Sequence, residues 1–123
     1  LLASYGGLSF HSVFWHQENN MIEDIHEPFT AFKEEFPEVS AQHEALGKEI
    51  HEHGGPLPEK TRWLIKIAIS GACAHERALE THILKAREVG ATDQEIKHAL
   101  LLLIPTAGFP TFMTAYAKFR QTK

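Results

Sequence analysis

The sequence predicts an all-α fold. Apolar residues recur at three- and four-residue intervals along most of its 123 residues, proline and glycine punctuate those runs, and no alternating run bounded by turns competes as a strand. The first periodic segment begins near Ile25, where Ile25, Phe29, Phe32 and Phe36 are spaced for one helix face with Lys33, Glu34 and Glu35 between them. Pro37 closes it and can open the next helix, in which Val39, His43, Leu46 and Ile50 share a face as far as about His53. Gly54-Gly-Pro-Leu-Pro58 is a hard break, since glycine ends one helix and Pro58 suits the first turn of another. The third helix, about Pro58 to Ala72, is apolar on nearly every side through Trp63, Leu64, Ile65, Ile67, Ala68 and Ile69, which suits a core or an oligomer interface. A fourth runs from about His75 to Glu88 and stops at Gly90. Thr92-Asp-Gln-Glu95 reads as a capping box, and behind it Ile96, Ala99, Leu100, Leu103 and Ile104 form a buried stripe ending at Pro105. Gly108-Phe-Pro110 then breaks the chain, and a last helix carries Phe112, Met113, Tyr116 and Phe119.

Composition narrows the class of function. The chain is 43% hydrophobic and 23% charged, the balance of an ordinary globular domain, and its net charge of −4 supplies no global basic field for nucleic acid or an anionic membrane. The longest strongly apolar run, Ala99 to Pro105, is far short of the roughly 20 residues that a membrane span needs. A single cysteine excludes an internal disulfide and any CxxC pair, and fits a reducing cytoplasm. The first methionine is Met21, and the opening twenty residues lack a basic start, with His11 and His16 interrupting their apolar stretch. Residues 1–20 are therefore read as a leader or extension, and residues 21–123 as a single domain.

Reactive side chains are densest in Gly71-Ala-Cys-Ala-His-Glu-Arg-Ala-Leu-Glu-Thr-His82. His75 and His82 are seven residues apart, about two helical turns, and would share a face with Ala78 and Leu79 between them. No metal centre is expected: neither His75-Glu-Arg-Ala-Leu79 nor His43-Glu-Ala-Leu-Gly47 completes HExxH, and His51-Glu-His53 beside glycines is expected to point to solvent. Cys73 admits two readings, a thiol activated by a helix N-terminus with His75 and Arg77 nearby, or a packed thiol between alanines, and the packed reading is preferred. His82 suits proton transfer near neutrality. It also lies on the apolar stripe Leu79, His82, Ile83, Ala86, where a histidine is as often a core residue satisfied by a backbone or carboxylate partner. Glu76 and Glu80 are the carboxylates in reach, and Trp63 either lines a pocket or belongs to the core.

Four segments, in order, carry a family resemblance: Pro58-Glu-Lys-Thr-Arg-Trp-Leu-Ile-Lys-Ile-Ala68, Glu76-Arg-Ala-Leu-Glu-Thr-His-Ile-Leu-Lys-Ala86, Gly90-Ala-Thr-Asp-Gln-Glu-Ile96 and Gly108-Phe-Pro110. From about Phe29 to the C-terminus the chain resembles the carboxymuconolactone decarboxylase and alkylhydroperoxidase AhpD-like superfamily. That resemblance implies a helical bundle of about six helices assembling into dimers, trimers or hexamers. It also implies which functional residues are missing. With the family histidine at His82, the two cysteine positions of the peroxidase relay fall on His75 and Ala78 and its glutamate on Trp63, so the dithiol relay is absent. The histidine–glutamate pair of the decarboxylase branch falls on Arg77 and Ala78. The closest likeness is to a branch without CxxC that keeps a glutamate six residues before the histidine, here Glu76.

The leading expectation is thus a cytoplasmic, homo-oligomeric, cofactor-free enzyme in which His82 exchanges a proton with a small organic acid or lactone. Glu76 would support it, His75 would be a second candidate, and Trp63, Ala78, Leu103 and Phe109 would line the pocket. Two rivals stand beside it. One is peroxide reduction through a sulfenic acid on Cys73 resolved by an external thiol; the other is a non-catalytic ligand-binding or scaffold protein.

Overall fold

The computed structural model describes residues 27–123, and the expectation for residues 1–20 lies outside them. The described residues up to Ile50 belong to one compact unit and His51–Lys123 form another. Every regular element among the described residues is a helix.

Helix α1 covers residues 27–35, and Phe36 separates it from α2, Pro37–His53. Proline opens α2 because a first-turn residue needs no N–H and its fixed φ is already helical. The Phe36 carbonyl accepts from Ser40 N at 2.9 Å, closing the first turn. The expected apolar stripe of α2 lies open to solvent at Val39, Leu46 and Ile50.

In the second unit α3, Glu59–Ala72, packs against α4 (Glu76–Glu88), α5 (Asp93–Leu101), α6 (Leu103–Ala107) and α7 (Phe109–Gln121). Its Ile67 is fully buried, as are Leu79 and Ile83 of α4 and Ile96 and Leu100 of α5; Leu103, Phe112, Ala115 and Phe119 complete the core from α6 and α7. Gly71 sets the closeness of this packing. A Cβ there would stand 3.0 Å from Leu103 Cδ1 and 3.2 Å from Ala115 Cβ, so any larger residue would make α6 and α7 give way.

The junctions follow local chemistry. The capping box forms as read, with Glu95 N donating to Thr92 Oγ1 at 3.1 Å and Thr92 N to Glu95 Oε1 at 2.9 Å. The stripe expected to run unbroken to Pro105 is instead split at Leu102 into α5 and α6. Pro105 explains the break, because inside one continuous helix its ring would strike the Leu101 carbonyl and withhold an N–H, whereas in the first turn of α6 neither matters. Gly108, at φ 105°, makes the turn into α7.

A larger correction concerns Cys73. The helices end and begin about where read: α3 ends at Ala72, Cys73 is its C-cap, Ala74 takes the left-handed region at φ 58°, and His75 caps α4. Cys73 is exposed and not packed between alanines; it caps the carbonyl end of α3 and lies just before His75, the N-cap of α4. No helix among the described residues is long and apolar enough to cross a membrane.

Candidate functional site

Three polar residues of α3 share one ridge. Arg62, Lys66 and Ser70 are spaced i, i+4 and i+8, with Trp63 beside them, so the helix lays a polar edge against the middle of α4. There Ser70 Oγ lies 2.9 Å from His82 Nδ1, and the Lys66 carbonyl lies 3.3 Å from the same nitrogen. A carbonyl can only accept, so this pair of contacts favours the tautomer with its proton on Nδ1, donating to Lys66 O and Ser70 Oγ. The basic lone pair of His82 is then on Nε2.

Aromatic contacts complete the cluster. The His82 ring centroid lies 5.6 Å from that of Trp63, and the His51 ring lies 4.4 Å from Trp63. Lys66 Nζ sits 4.5 Å from the Trp63 ring centroid, within cation–π range. His51 was expected to face solvent; instead it is partly buried and its Nε2 is enclosed without a hydrogen-bond partner. Arg62 Nη1 donates to the Leu57 carbonyl, while its Nε is buried and unpartnered.

Burial is the main cause of the electrostatics here. It holds His82 below the usual imidazole value of 6.5; the Lys66 carbonyl opposes that shift, and the charges of Lys66 and His51 add to it. His51 is lowered likewise, first by burial and then by Lys66 and Arg62, against Glu59 and Glu52. Burial also lowers Lys66. Both imidazoles therefore bind protons less readily in the folded chain than in the unfolded one, whose value is about 6.5. Above that pH both states are neutral and the contribution is complete. As the pH falls below it the unfolded chain takes up more protons, and stability drops until the folded values are passed. The expected result is a Tm that declines as the pH falls through and below about 6.5, less steeply when His51 and His82 are both changed to glutamine. A decline of unchanged steepness in the double variant would remove these two residues from the account.

The other expected residues are dispersed. Glu76 is exposed in the first turn of α4, and the hydrogen-bond partners of His82 are Ser70 and the Lys66 carbonyl instead. Glu80 lies 3.7 Å from Lys118, in an ion pair. His75, as a cap at φ −90° and ψ 83°, lies outside the helix that would have aligned it with His82, and it is exposed. Trp63 adjoins His82. Ala78 is half-buried on α4, Leu103 is in the core against Gly71, and Phe109 is 57% exposed at the start of α7. No group of three or more histidine, cysteine or acidic residues among the described residues could hold a metal ion. Sequence reasoning missed Ser70, Lys66 and His51. The four-residue spacing of Arg62, Lys66 and Ser70 on an otherwise apolar helix was the available signal for the first two.

With this geometry in place, comparison with known proteins is informative. The family model for the carboxymuconolactone decarboxylase family matches residues 37–121. The uncharacterized protein MJ1511 of Methanocaldococcus jannaschii is 30% identical over 89 residues, covering 72% of this chain and 82% of its own. The crystal structure of apo-lpg0406, a carboxymuconolactone decarboxylase family protein from Legionella pneumophila, superposes with a TM-score of 0.71 at 24% identity, over 83% of this chain and 90% of that one, and so shares the fold.

Proposed function

Because the chain belongs to the carboxymuconolactone decarboxylase family, we propose that it is a cofactor-free, AhpD-like enzyme whose His82 moves a proton on a small organic acid or lactone. The observation that carries this reading is the anchoring of His82 Nδ1 by Ser70 and the Lys66 carbonyl. An imidazole held through one nitrogen keeps the other oriented for proton exchange, and a value depressed by burial leaves it unprotonated, and so a base, at neutral pH. In an isomerisation Nε2 would take a proton from a carbon beside a carbonyl and return it at another position. In a decarboxylation Nε2 would take the carboxyl proton of the acid, the C–C bond would break to release carbon dioxide with its electron pair left on carbon, and the imidazolium so formed would return the proton to that carbon. Ser70 takes the orienting part expected of Glu76. The test is a screen of small carboxylic acids and lactones for carbon dioxide release or isomerisation, with parent and His82→Ala proteins side by side. Turnover by the parent that survives intact in His82→Ala would overturn the reading.

Exposure of Cys73 supports a second reading, reduction of a peroxide through that thiol. Peroxide consumption with an external thiol that is lost in Cys73→Ser and kept in His82→Ala would favour it over the first.

We place the enzyme in the cytoplasm, which its single cysteine suits, and assign it a homo-oligomeric state. Supporting the assembly are large apolar side chains on the outside of the second unit, among them Ile69 at 56% and Leu102 at 55% exposure. Ile65 and Leu102 also line an open groove of about 260 Å³ between α3 and α5. Sedimentation at micromolar concentration is expected to give a multiple of the single-chain mass, with Leu102→Glu shifting the protein toward monomer. A monomeric parent would contradict the assignment.

A further inference from the structure

Charge divides along the chain. Residues 27–50 carry six acidic and two basic side chains, whereas His51–Lys123 carry seven acidic and ten basic ones. Apolar surface divides in a matching way. On α2, Val39, His43, Leu46 and Ile50 are spaced i, i+4, i+7 and i+11 along one face, and all four are exposed, Leu46 at 60%. The same helix carries Glu38, Glu44, Glu49 and Glu52 against a single lysine, Lys48. The groove between α3 and α5 is the converse. Leu64, Ile65, Ala68, Ala99 and Leu102 line it, and its one acid, Glu95, is held by Lys60 at 3.0 Å. Arg62 stands i, i+3 from Ile65, and Lys66 stands i, i+3 from Ile69, so cations border the exposed isoleucines of α3, whose only acid is Glu59.

We propose that this groove seats α2 of a second copy of the chain, which lays Val39, Leu46 and Ile50 against Ile65 and Leu102 and brings its glutamates to the cations of α3. The inference rests on the homo-oligomeric assignment above and names the two surfaces that meet. Length fits the pairing: at about 1.5 Å per residue, Val39 to Ile50 extends roughly 16 Å, enough to cover the roughly 12 Å of α3 from Thr61 to Ile69. A helix laid in a groove buries such a stripe by its ordinary i, i+4, i+7 anchors. Charge selects α2 over the other exposed apolar row, Ile104, Phe109 and Met113. The only charged residues of α6 and α7 are Lys118 and Arg120, which would bring like charge to Arg62 and Lys66. Reciprocal exchange closes a two-fold pair, since each copy gives one α2 and receives one, and neither stripe is left in water.

Crosslinking between chains tests the seat directly. In a Cys73→Ser background each chain carries only the cysteine introduced into it, so every disulfide joins two copies. Leu46→Cys and Ile65→Cys chains, co-expressed with tags of different mass and mildly oxidised, are expected to give at least about tenfold more mixed disulfide than Leu46→Cys with Leu84→Cys, a position on α4 that is also exposed. In sedimentation, Leu46→Lys should weaken self-association about tenfold or more, and Leu46→Glu less, because a carboxylate there still faces the cations of α3. Both changes fall on an exposed side chain and should leave the chain folded. Equal yields of the two mixed disulfides, or an oligomeric parent that Leu46→Lys leaves intact, would overturn the exchange while the homo-oligomeric assignment stood. Weaker association in Leu46→Glu than in Leu46→Lys would also overturn it, since charge is what selects α2. A monomeric parent would sink both.

Discussion

His82→Ala is expected to lower kcat on a turned-over substrate by about 10²- to 10⁴-fold, the usual contribution of a positioned acid–base group, with KM changed little. The split follows from the proposed role, in which the imidazole on α4 moves the proton and does not anchor the substrate. Ser70→Ala should cost less, about tenfold or under. The Lys66 carbonyl still holds Nδ1 in that variant, though at 3.3 Å and not 2.9 Å. A loss in Ser70→Ala as large as that in His82→Ala would mean that the hydroxyl itself takes part in the chemistry.

Gly71→Val is the substitution expected to destabilise most among those named. The added Cβ alone would sit 3.0 Å from Leu103 Cδ1 and 3.2 Å from Ala115 Cβ, and the two branch methyls have still less room. Leu103 can turn its methyl aside, but Ala115 Cβ can withdraw only if the α7 backbone moves. Overpacking of this kind costs about 1–3 kcal/mol, or roughly 4–8 °C in Tm per kcal/mol for a domain of this size. Gly71→Ala brings an opposing gain of about 0.5–1 kcal/mol from removing glycine from a helix, so it should fall well short of valine. Thermal unfolding of the two variants checks the order, and equal Tm values would show that the crossing of α3 with α6 and α7 is looser than described.

The helices were legible in the sequence because their causes are local. The Gly54–Pro58 break, the Thr92–Glu95 capping box and the Gly108 turn each depend on a few adjacent residues and appear where read. His82 was also legible, as a polar residue on an apolar stripe. Its partner was misassigned because i,i+6 spacing within α4 suggested Glu76, whereas the contact comes from Ser70 on the neighbouring helix. Two local rules were misapplied as well. Pro105 was taken to end a helix when it falls in the first turn of a new one, and Cys73 was placed by its apolar neighbours when Ala74 breaks the chain beside it. The pairing of His51 with Trp63 crosses a glycine–proline loop, and the meeting of Leu103 with Gly71 depends on a helix crossing. Spacing along the chain carries neither.

The claim on which the chemistry depends is that His82 presents a basic Nε2 while its Nδ1–H is held by α3. Nitrogen-15 NMR of histidine-labelled protein, with the His82 signals assigned by their loss in His82→Gln, tests it directly. The account predicts a protonated Nδ1 and an unprotonated Nε2 at neutral pH, with titration below 6.5. A proton on Nε2 at neutral pH, or a titration above 6.5, would contradict it.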